Sequence, residues 1–392
     1  MNAHKSHQDI AKEMDLFVTV EEAPGMPFFL PNGMVIRNEL EQFWKDLHAK
    51  NGYEEVKTPL LLKQHLWEQS GHWAHYKDNM YFSEVDGQAY AIKPMSCPGA
   101  LLIYNQKRRS SSDLPIRYAE LGHVHRYEKS GSLNGLLRVR SITQDDAHIF
   151  VHKNQIEAEL IRILDLVHQV YKTFGFDYRV ELSTKPEKAM GDANQWDHAE
   201  GVLKSVLDKQ RIPYVINEGD GAFYGPKIDF HITDSRSRSW QCGTIQLDFQ
   251  MPEKFGCLFS NDQQQLEHPI LIHRAIYGSV ERFMAILIEH YEGRFPFWLA
   301  PVQVDILPIH ESQHEYGATV LTRLKENGIR VRLNVKKQSF GAKIRASRMN
   351  KTPYRIIIGK EEMDQQKVTL QDRDGEQRSL PLEDLLPALR QE

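Results

Sequence analysis

Two long segments typical of β-strands, joined by a loop rich in glycine and serine, constrain the fold more than any other feature. The segments are residues 117–128 and 136–151, and the loop between them reads KSGSLNG. Further strand-like segments follow in hairpin order, with long helical patterns inserted between them. This arrangement predicts an α+β domain, built on an antiparallel sheet flanked by helices, rather than a doubly wound parallel sheet.

Hydrophobic periodicity places helices on both sides of these strands. Leu40, Phe43, Trp44 and Leu47 recur at helical spacing, which predicts an amphipathic helix over residues 37–50. A strand ending at Pro59 is expected after it, and GSVERFMAILIEHY near residue 280 predicts a buried helix.

A change in charge marks a domain boundary. Residues 323–360 contain twelve Lys and Arg side chains but one acid, Glu326, whereas the first 298 residues carry an excess of acids. The proline-punctuated segment FPFWLAP lies between the two regions. We therefore expect a first domain over residues 1–298 and a smaller α/β domain over 299–392, whose basic face contacts a polyanion.

Composition excludes several classes of protein. The formal net charge is −4, no apolar run approaches the length of a membrane span, and three cysteines cannot form a disulfide framework. An odd, low cysteine count is expected for a chain in the reducing cytosol, so we predict a cytoplasmic location.

The motifs that bind phosphate through glycine-rich loops are missing. GxxxxGK[ST] does not occur, and EGDGAFYGPK does not match the spacing of a dinucleotide fingerprint. Arginines would then have to hold a triphosphate, and Arg126, Arg138 and Arg140 lie on the two strand-like segments near Glu128. An exposed hairpin with balanced charges is the alternative.

Two metal sites are conceivable among the eighteen histidines. His310, Glu311 and His314 match HExxH, although they fall where a strand enters a helix in the small basic domain. Cys97, His148 and His273 offer one thiolate and two imidazoles, which suits a three-ligand zinc site with a free fourth position. Ordinary buried Cys and His remain the alternative, because spacing rules say nothing about residues so far apart.

Eight blocks together resemble the catalytic core and anticodon-binding domain of the threonyl-tRNA synthetases, a family of class II aminoacyl-tRNA synthetases. The resemblance covers nearly the whole chain. The blocks are EEAPGMPFFLPNG, SGHWAHYKDNM, KPMSCPG, HRYEKSGSLNGLLRVRSITQDDAHIF, GAFYGPKIDF, QCGTIQLDF, IHRAIYGSVERF and FPFWLAPVQV. Residues 37–59 are similar to class II motif 1, residues 117–150 to motif 2, and residues 278–289, with Arg282, to motif 3.

The resemblance implies a role for each matching residue. Zinc, one ion per subunit, would be held by Cys97, His148 and His273 and would bind the amino group and hydroxyl of threonine. The threonine pocket would further contain Met95, Gln144, Asp146, Tyr224 and Gln246. ATP, bound with Mg²⁺, would contact Arg126, Glu128, Arg138, Gln241 and Arg282. Lys227 would face the carboxylate, and His72 would assist transfer to the tRNA ribose.

The resemblance also implies partners and leaves alternatives. A homodimer through motif 1 is expected, and Lys343, Arg345 and Arg348 are the predicted tRNA contacts. Family members carry an N-terminal and an editing domain that the blocks found here do not match, so no editing is expected of this chain. The alternatives are a short paralogue that loads a small amino acid onto a different acceptor, a non-catalytic RNA-binding regulator, and the HExxH protease.

Overall fold

The computed structural model describes residues 5–234 and 237–390, with the backbone alone at Arg390. Contacts divide the chain into two compact units. The core unit comprises Glu21–Pro27 and Glu41–Ile286; the C-terminal unit comprises residues 1–20, 28–40 and 287–392 as far as they are described. This grouping by contacts is not a single cut along the chain, and the predicted boundary between residues 298 and 299 stays a prediction.

An eight-stranded sheet forms the centre of the core unit. Its inner pairings are antiparallel, while the strand at each edge pairs in parallel with its neighbour. In spatial order the strands are Tyr214–Asn217, Tyr178–Ser183, Lys227–Thr233, Ser239–Asp248, Ile270–Ala275, Ser141–Val151, Ile116–His125 and Glu54–Glu55. The antiparallel sheet predicted from the sequence is confirmed.

Shorter elements surround this sheet. Two three-stranded sheets contain Leu61–Lys63, Gln88–Ile92 and Tyr81–Val85, and Leu266–Glu267, Phe259–Ser260 and Arg109–Ser110. The α-helices of the core unit are Gln64–Gln69, His72–Tyr76, Cys97–Tyr104, Ile156–Thr173, Ala193–Lys209 and Met251–Lys254. Ile156–Thr173 packs along one face through Leu160, Ile163 and Val167, all fully buried.

The C-terminal unit has a five-stranded mixed sheet of its own. Its strands in spatial order are Val331–Leu333, Val304–Pro308, Tyr354–Ile358, Lys367–Gln371 and Gln377–Pro381. The unit also contains the hairpin Phe17–Val18 and Phe28–Phe29, and the helices His7–Met14, His314–Glu326, Phe340–Met349, Lys360–Asp364 and Leu385–Arg390. Its buried cluster includes Val304, Ile306, Ile356 and Val368. The smaller α/β domain expected from the sequence is present in this unit.

Two helices, Pro31–Lys50 and Val280–His290, begin in one unit and end in the other. Pro31–Lys50 begins six residues before the predicted helix, and the strand expected to reach Pro59 is only Glu54–Glu55. None of the helices in residues 5–234 and 237–390 has both the length and the apolar character needed to cross a membrane.

Candidate active site and metal centre

A cavity of about 280 Å³ opens on one face of the eight-stranded sheet. Most of the residues predicted from the sequence to bind substrate, nucleotide or metal line it. They are Met95, Cys97, Arg126, Gln144, Asp146, His148, Tyr224, Gln241, Gln246, His273 and Arg282. His72, Glu128, Arg138 and Lys227 do not line it.

Strand register explains how residues so distant in sequence meet. His148 lies directly opposite His273, His273 opposite Gln246, and Gln246 opposite Lys227, in one row across four strands. Residues directly opposite one another in antiparallel strands point to the same face of the sheet. The next positions on that face of Ser141–Val151 are Asp146 and Gln144, which therefore join the same site.

Cys97, His148 and His273 form the one group of potential metal ligands among the described residues. Their ligand atoms lie within 4.8 Å of one another, and all three side chains are buried. Cys97 is the first residue of helix Cys97–Tyr104, where Pro98 follows it in the first turn. The two imidazole rings meet edge to face, with centroids 5.1 Å apart.

This group fits a zinc ion on two further observations. Among the described residues, the buried Nε2 of His148 has no hydrogen-bond partner, as expected for an atom kept for a metal. Burial, followed by neighbouring charges such as His273 and Lys93, lowers the pKa of His148 well below its usual range, so the ring is neutral. Two imidazoles and one cysteine sulfur make a mixed N/S set of the kind that zinc prefers.

Asp146 is placed to accept from a cation in the cavity. Its side chain is buried, and burial together with the nearby Glu120 and Asp145 carboxylates raises its pKa to about 7. The positive charges of Arg274 and Lys93 oppose this rise in pKa. An ammonium group bound beside Asp146 would therefore favour the ionised carboxylate.

Aromatic and amide side chains enclose the same end of the cavity. The hydroxyl of Tyr224 donates to Oε1 of Gln246, and the Tyr224 ring packs on His273 with centroids 4.8 Å apart. His72 lies behind Met95, with its Nε2 3.1 Å from the Met95 sulfur. Burial, then His273 and Arg126, lowers the pKa of His72 to about 3, so this imidazole is neutral.

Two arginines that line the cavity are held by carbonyl oxygens of the protein. Arg126 donates from Nε to Pro94 and from Nη2 to Oε1 of Gln144, at 3.1 and 3.2 Å. Arg282, in the first turn of helix Val280–His290, donates to the carbonyls of Leu137 and Gln241. Both guanidinium groups are therefore fixed where they line the cavity, which suits a phosphate chain.

Three predicted site residues instead have partners on the protein outside the cavity. Arg138, with 52% of its side chain exposed, forms an ion pair of 2.8 Å with Glu128. Lys227 lies between Asp220 and Asp229, at 3.0 and 2.9 Å. Burial opposes the charge of Lys227, but the two carboxylates raise its pKa overall.

The predicted tRNA contacts lie on helix Phe340–Met349 of the C-terminal unit. Arg345 and Arg348 are exposed, whereas Lys343 is buried and donates from Nζ to the carbonyl of Pro308 at 2.8 Å. Lys343 thus differs from the prediction, because its ammonium anchors the helix instead of facing solvent. Arg348 also lines a cavity of about 160 Å³ with four other cationic side chains, those of Arg294, Lys351, Arg355 and Arg373.

The HExxH match does not form a metal site. His310 precedes the short 3₁₀ turn Glu311–Gln313, and helix His314–Glu326 starts only at the second histidine. The two imidazoles are therefore not one turn apart on a single α-helix, as the mechanism of this motif requires.

Sequence reasoning missed several buried charged residues around the cavity. Asp248 accepts a hydrogen bond of 2.9 Å from Nε2 of His273 and is fully buried. Asp145 accepts from the backbone N–H groups of Ile276 and Gly278, and Arg274 lies 2.6 Å from His48. A single acid at the end of an otherwise uncharged strand, as in SWQCGTIQLD, was the available signal for Asp248.

Comparison with protein-family models gives two matches. Residues 81–291 match the class II core domain of the tRNA synthetases for G, H, P, S and T, and residues 303–392 match an anticodon-binding domain.

Individual relatives agree with these families. The chain is 53% identical over 383 residues to the threonine–tRNA ligase of Acetivibrio thermocellus, and 52% identical over 389 residues to that of Caldanaerobacter subterraneus subsp. tengcongensis. These matches cover 97% and 99% of this chain but 60% of each relative, so the chain spans about three fifths of their length. A solved structure, described as the RNA-binding domain of threonyl-tRNA synthetase from Cryptosporidium parvum, superposes with a TM-score of 0.96. It is 40% identical, and the superposition covers 99% of this chain and 98% of that one.

Proposed function

The chain belongs to the class II tRNA synthetases, and we propose that it activates L-threonine with ATP and transfers it to threonine tRNA. The first step would form threonyl-adenylate and pyrophosphate, and the second would esterify the 3′-terminal ribose of the tRNA. The relatives that share more than half of its residues are named for this reaction.

One observation carries the proposal: Cys97, His148 and His273 converge in the cavity that Arg126 and Arg282 also line. A metal centre for a hydroxy amino acid and two fixed guanidinium groups in the same cavity would bring a carboxylate and a triphosphate together. That juxtaposition is what adenylate formation requires.

Threonine would be recognised at the buried end of the cavity. Zinc held by the three ligands would supply a Lewis acid for the amino group and the side-chain hydroxyl. Asp146 would accept from the ammonium, while the hydrogen-bonded pair of Tyr224 and Gln246 would close the pocket. Valine has the shape of threonine without the hydroxyl, so it would leave these polar groups unsatisfied.

ATP would bind in the part of the cavity that Arg126 and Arg282 line. Arg126 would bind the α-phosphate, Arg282 the outer phosphates, and Gln241 the region between them. The arginines, with Mg²⁺ bound to the nucleotide, would stabilise the charge that develops as the carboxylate attacks the α-phosphorus. Glu128 and Arg138 would reach adenine and the γ-phosphate only after their mutual ion pair opens, and Lys227 would similarly have to leave Asp220.

Transfer to tRNA would use His72. Burial lowers its pKa and makes the ring a weak base, so it could accept a proton from the ribose hydroxyl only if movement of Met95 exposes the ring and raises its pKa. The exposed Arg345 and Arg348, and the cationic cavity beside Arg348, support contact between the C-terminal unit and the phosphates of tRNA.

We further propose a cytoplasmic homodimer. The exposed apolar side chains of Phe28 and Met34, which precede motif 1 in the chain, would be covered by a second copy that also contacts motif 1. The three cysteines are free and buried, a state expected in the reducing cytosol. Sedimentation at micromolar concentration tests the dimer, and a monomer there would contradict it.

Amino-acid-dependent ATP–pyrophosphate exchange, followed by charging of tRNA, tests the whole proposal. Threonine should support exchange and be esterified onto threonine tRNA, whereas valine should support neither. Exchange without charging of any tRNA would favour the paralogue with another acceptor. Binding of tRNA without exchange would favour the non-catalytic regulator.

A further inference from the structure

We infer that Asp248 is a positioning residue for the metal centre: its carboxylate fixes the His273 ring so that Nδ1, and not Nε2, binds the ion. The inference rests on the proposed metal centre and deepens it. It concerns a residue that contacts a ligand rather than the metal.

The hydrogen bond between these two side chains determines which ring nitrogen of His273 is available. Nε2 of His273 lies 2.9 Å from Oδ2 of Asp248. A carboxylate can only accept this bond, so Nε2 donates a proton to it, and Nδ1 is the only ring nitrogen left that could offer a lone pair to a metal. Since Asp248 falls outside the group whose ligand atoms lie within 4.8 Å, it orients a ligand without being one.

The second histidine presents the opposite nitrogen. Nε2 of His148 is buried and has no hydrogen-bond partner among the described residues. The site would therefore be asymmetric, with Nε2 of His148 and Nδ1 of His273 directed at one ion. Without a fixed ring orientation, His273 could turn either nitrogen, or neither, towards the cavity.

Asp248 is itself held rigidly. Its Oδ1 accepts the backbone N–H groups of Gln250 at 2.7 Å and Met251 at 3.0 Å, at the start of helix Met251–Lys254. Its side chain has no solvent exposure. Oδ1 therefore accepts from the turn after the strand, and Oδ2 accepts from Nε2 of His273.

Because the two oxygens have different partners, Asp248→Asn is the informative substitution. The amide oxygen can keep the two backbone bonds, and the amide nitrogen then faces Nε2 of His273. Two donors cannot pair, so the ring must move its proton to Nδ1 or rotate, and either change removes the lone pair from the metal. Flipping the amide would restore the bond to His273 but break both backbone bonds.

The matched control is Asp145→Asn. Asp145 is equally buried and also accepts backbone N–H groups, among them those of Ile276 and Gly278, yet within the described residues no hydrogen bond or ion pair joins it to Cys97, His148 or His273. Asp248→Glu, which keeps a carboxylate, serves as the second variant and should lose less affinity than Asp248→Asn.

Zinc affinity, measured by competition with a chromogenic chelator, is the readout, together with the melting temperature of each metal-free chain. We expect Asp248→Asn to bind zinc about 10–100-fold more weakly than the wild type, and Asp145→Asn to match the wild type. Equal affinity of Asp248→Asn and wild type would overturn the inference. An equal loss of zinc affinity in both asparagine variants would show that Asp248 has only a structural role, and would also overturn the inference.

Two further outcomes separate this inference from the proposed function. A wild-type chain that binds no zinc would remove the metal from the proposed function and this inference with it. A zinc-loaded crystal structure in which His273 binds through Nε2 would contradict the inference while leaving the proposed function intact.

Discussion

The surroundings of individual arginines distinguish those that can act on a nucleotide from those that stabilise the surface. Arg126 lines the cavity and is fixed by Pro94 and Gln144, whereas Arg138 is half exposed and paired with Glu128. We expect Arg126→Ala to lower the rate of pyrophosphate exchange about 10²–10³-fold, because a preorganised donor to the α-phosphate is removed.

Arg138→Ala is the control for this prediction, since it removes the same charge from the same hairpin. Arg138→Ala should lower the rate of pyrophosphate exchange less than Arg126→Ala does. The ion pair of Arg138 with Glu128 must open before the Arg138 side chain can reach ATP. A larger loss in Arg138→Ala would show that the hairpin rearranges around the nucleotide and would contradict the assignment.

Activation of serine tests how the pocket recognises the side chain of the amino acid. Serine keeps the hydroxyl and lacks one methyl, which is worth about 1–3 kcal/mol, so exchange should favour threonine by roughly 10–200-fold. Valine should be rejected by about 10⁴-fold or more, since it lacks the hydroxyl. The measurement is kcat/KM for the three amino acids, and comparable values for serine and valine would exclude recognition of the hydroxyl.

Misacylation follows from the serine result. We expect seryl-tRNA to accumulate with this chain, because a pocket that recognises the side-chain hydroxyl also activates serine at a measurable rate. Hydrolysis of preformed seryl-tRNA by the purified chain would contradict the prediction that this chain does not edit.

At the residue scale, sequence reasoning found groups that carry a recognisable motif and missed those that support them. Cys97, His148 and His273 were only one option until the resemblance named them, and the structure brings them together. Lys93 and Asp248 lie within matching blocks and Glu120 within the motif 2 segment, but the sequence assigned none of them a role. Their roles depend on which strand lies beside which, a property of pairing and not of local sequence.

At the scale of elements, helix Pro31–Lys50 is tied to the sheet by a buried imidazole. Nδ1 of His48 donates to the carbonyl of Trp44, and its Nε2 accepts from Arg274 at 2.6 Å. Burial, then the charge of Arg274, lowers the pKa of His48 to about 2, so the folded chain keeps this ring neutral.

The lowered pKa of His48 predicts a pH dependence of stability. Its stabilising effect is complete above the unfolded pKa near 6.5 and is lost as the pH falls below it, because only the unfolded chain then binds the proton. The loss is at most about 1.4 kcal/mol per pH unit from this one group. The free energy of unfolding of the wild type should therefore exceed that of His48→Gln most at pH 8.

The comparison with His48→Gln cancels other titrating groups, such as Asp145, whose pKa burial raises to about 6. Urea unfolding at pH 8, 6 and 5 measures the difference between the two chains. That difference should narrow as the pH falls from 6 to 5. If it stays constant over this range, His48 is not the buried neutral group described.

Elements with strong periodicity were predicted well, and those set by packing were not. The hairpin strands Ile116–His125 and Ser141–Val151 closely match the predicted segments, and helix Val280–His290 falls within its own. The strand expected to reach Pro59 is only Glu54–Glu55: the N–H of Val56 still bonds to the carbonyl of Ala119, but that of Thr58 bonds to the side chain of Glu120 instead of a backbone carbonyl. Local propensity cannot anticipate such a side-chain contact.

At the scale of the whole molecule, the two units predict separable activities. Arg345→Ala with Arg348→Ala should weaken tRNA binding and reduce its dependence on salt, by about one unit of slope for each phosphate that is no longer neutralised. Pyrophosphate exchange should be unchanged, because the cavity that would bind ATP lies within the core unit. Filter binding at a series of salt concentrations provides the measurement.

Arg162→Ala is the matched control for charge, as it removes an arginine from helix Ile156–Thr173 of the core unit. It should leave the salt dependence unchanged. Loss of exchange in the double variant, or an equal effect of Arg162→Ala, would count against a tRNA interface on helix Phe340–Met349.

At this scale, the distribution of charge along the sequence predicted a function for one region. The sequence did not predict how the residues of the metal centre come together. The excess of cations over residues 323–360 pointed to a polyanion, and five cationic side chains there and nearby do line one cavity. The metal centre, in contrast, depends on the register of two strands in a sheet and on the start of one helix. No spacing along the chain encodes that register.

The most direct test of the central claim is the metal dependence of threonine activation. The chain should be purified, stripped of metal with a chelator and assayed for threonine-dependent pyrophosphate exchange, with Mg²⁺ and ATP in excess. We predict that exchange falls sharply on stripping and returns with one equivalent of zinc per chain. Full exchange by a chain shown to contain no zinc would contradict the account.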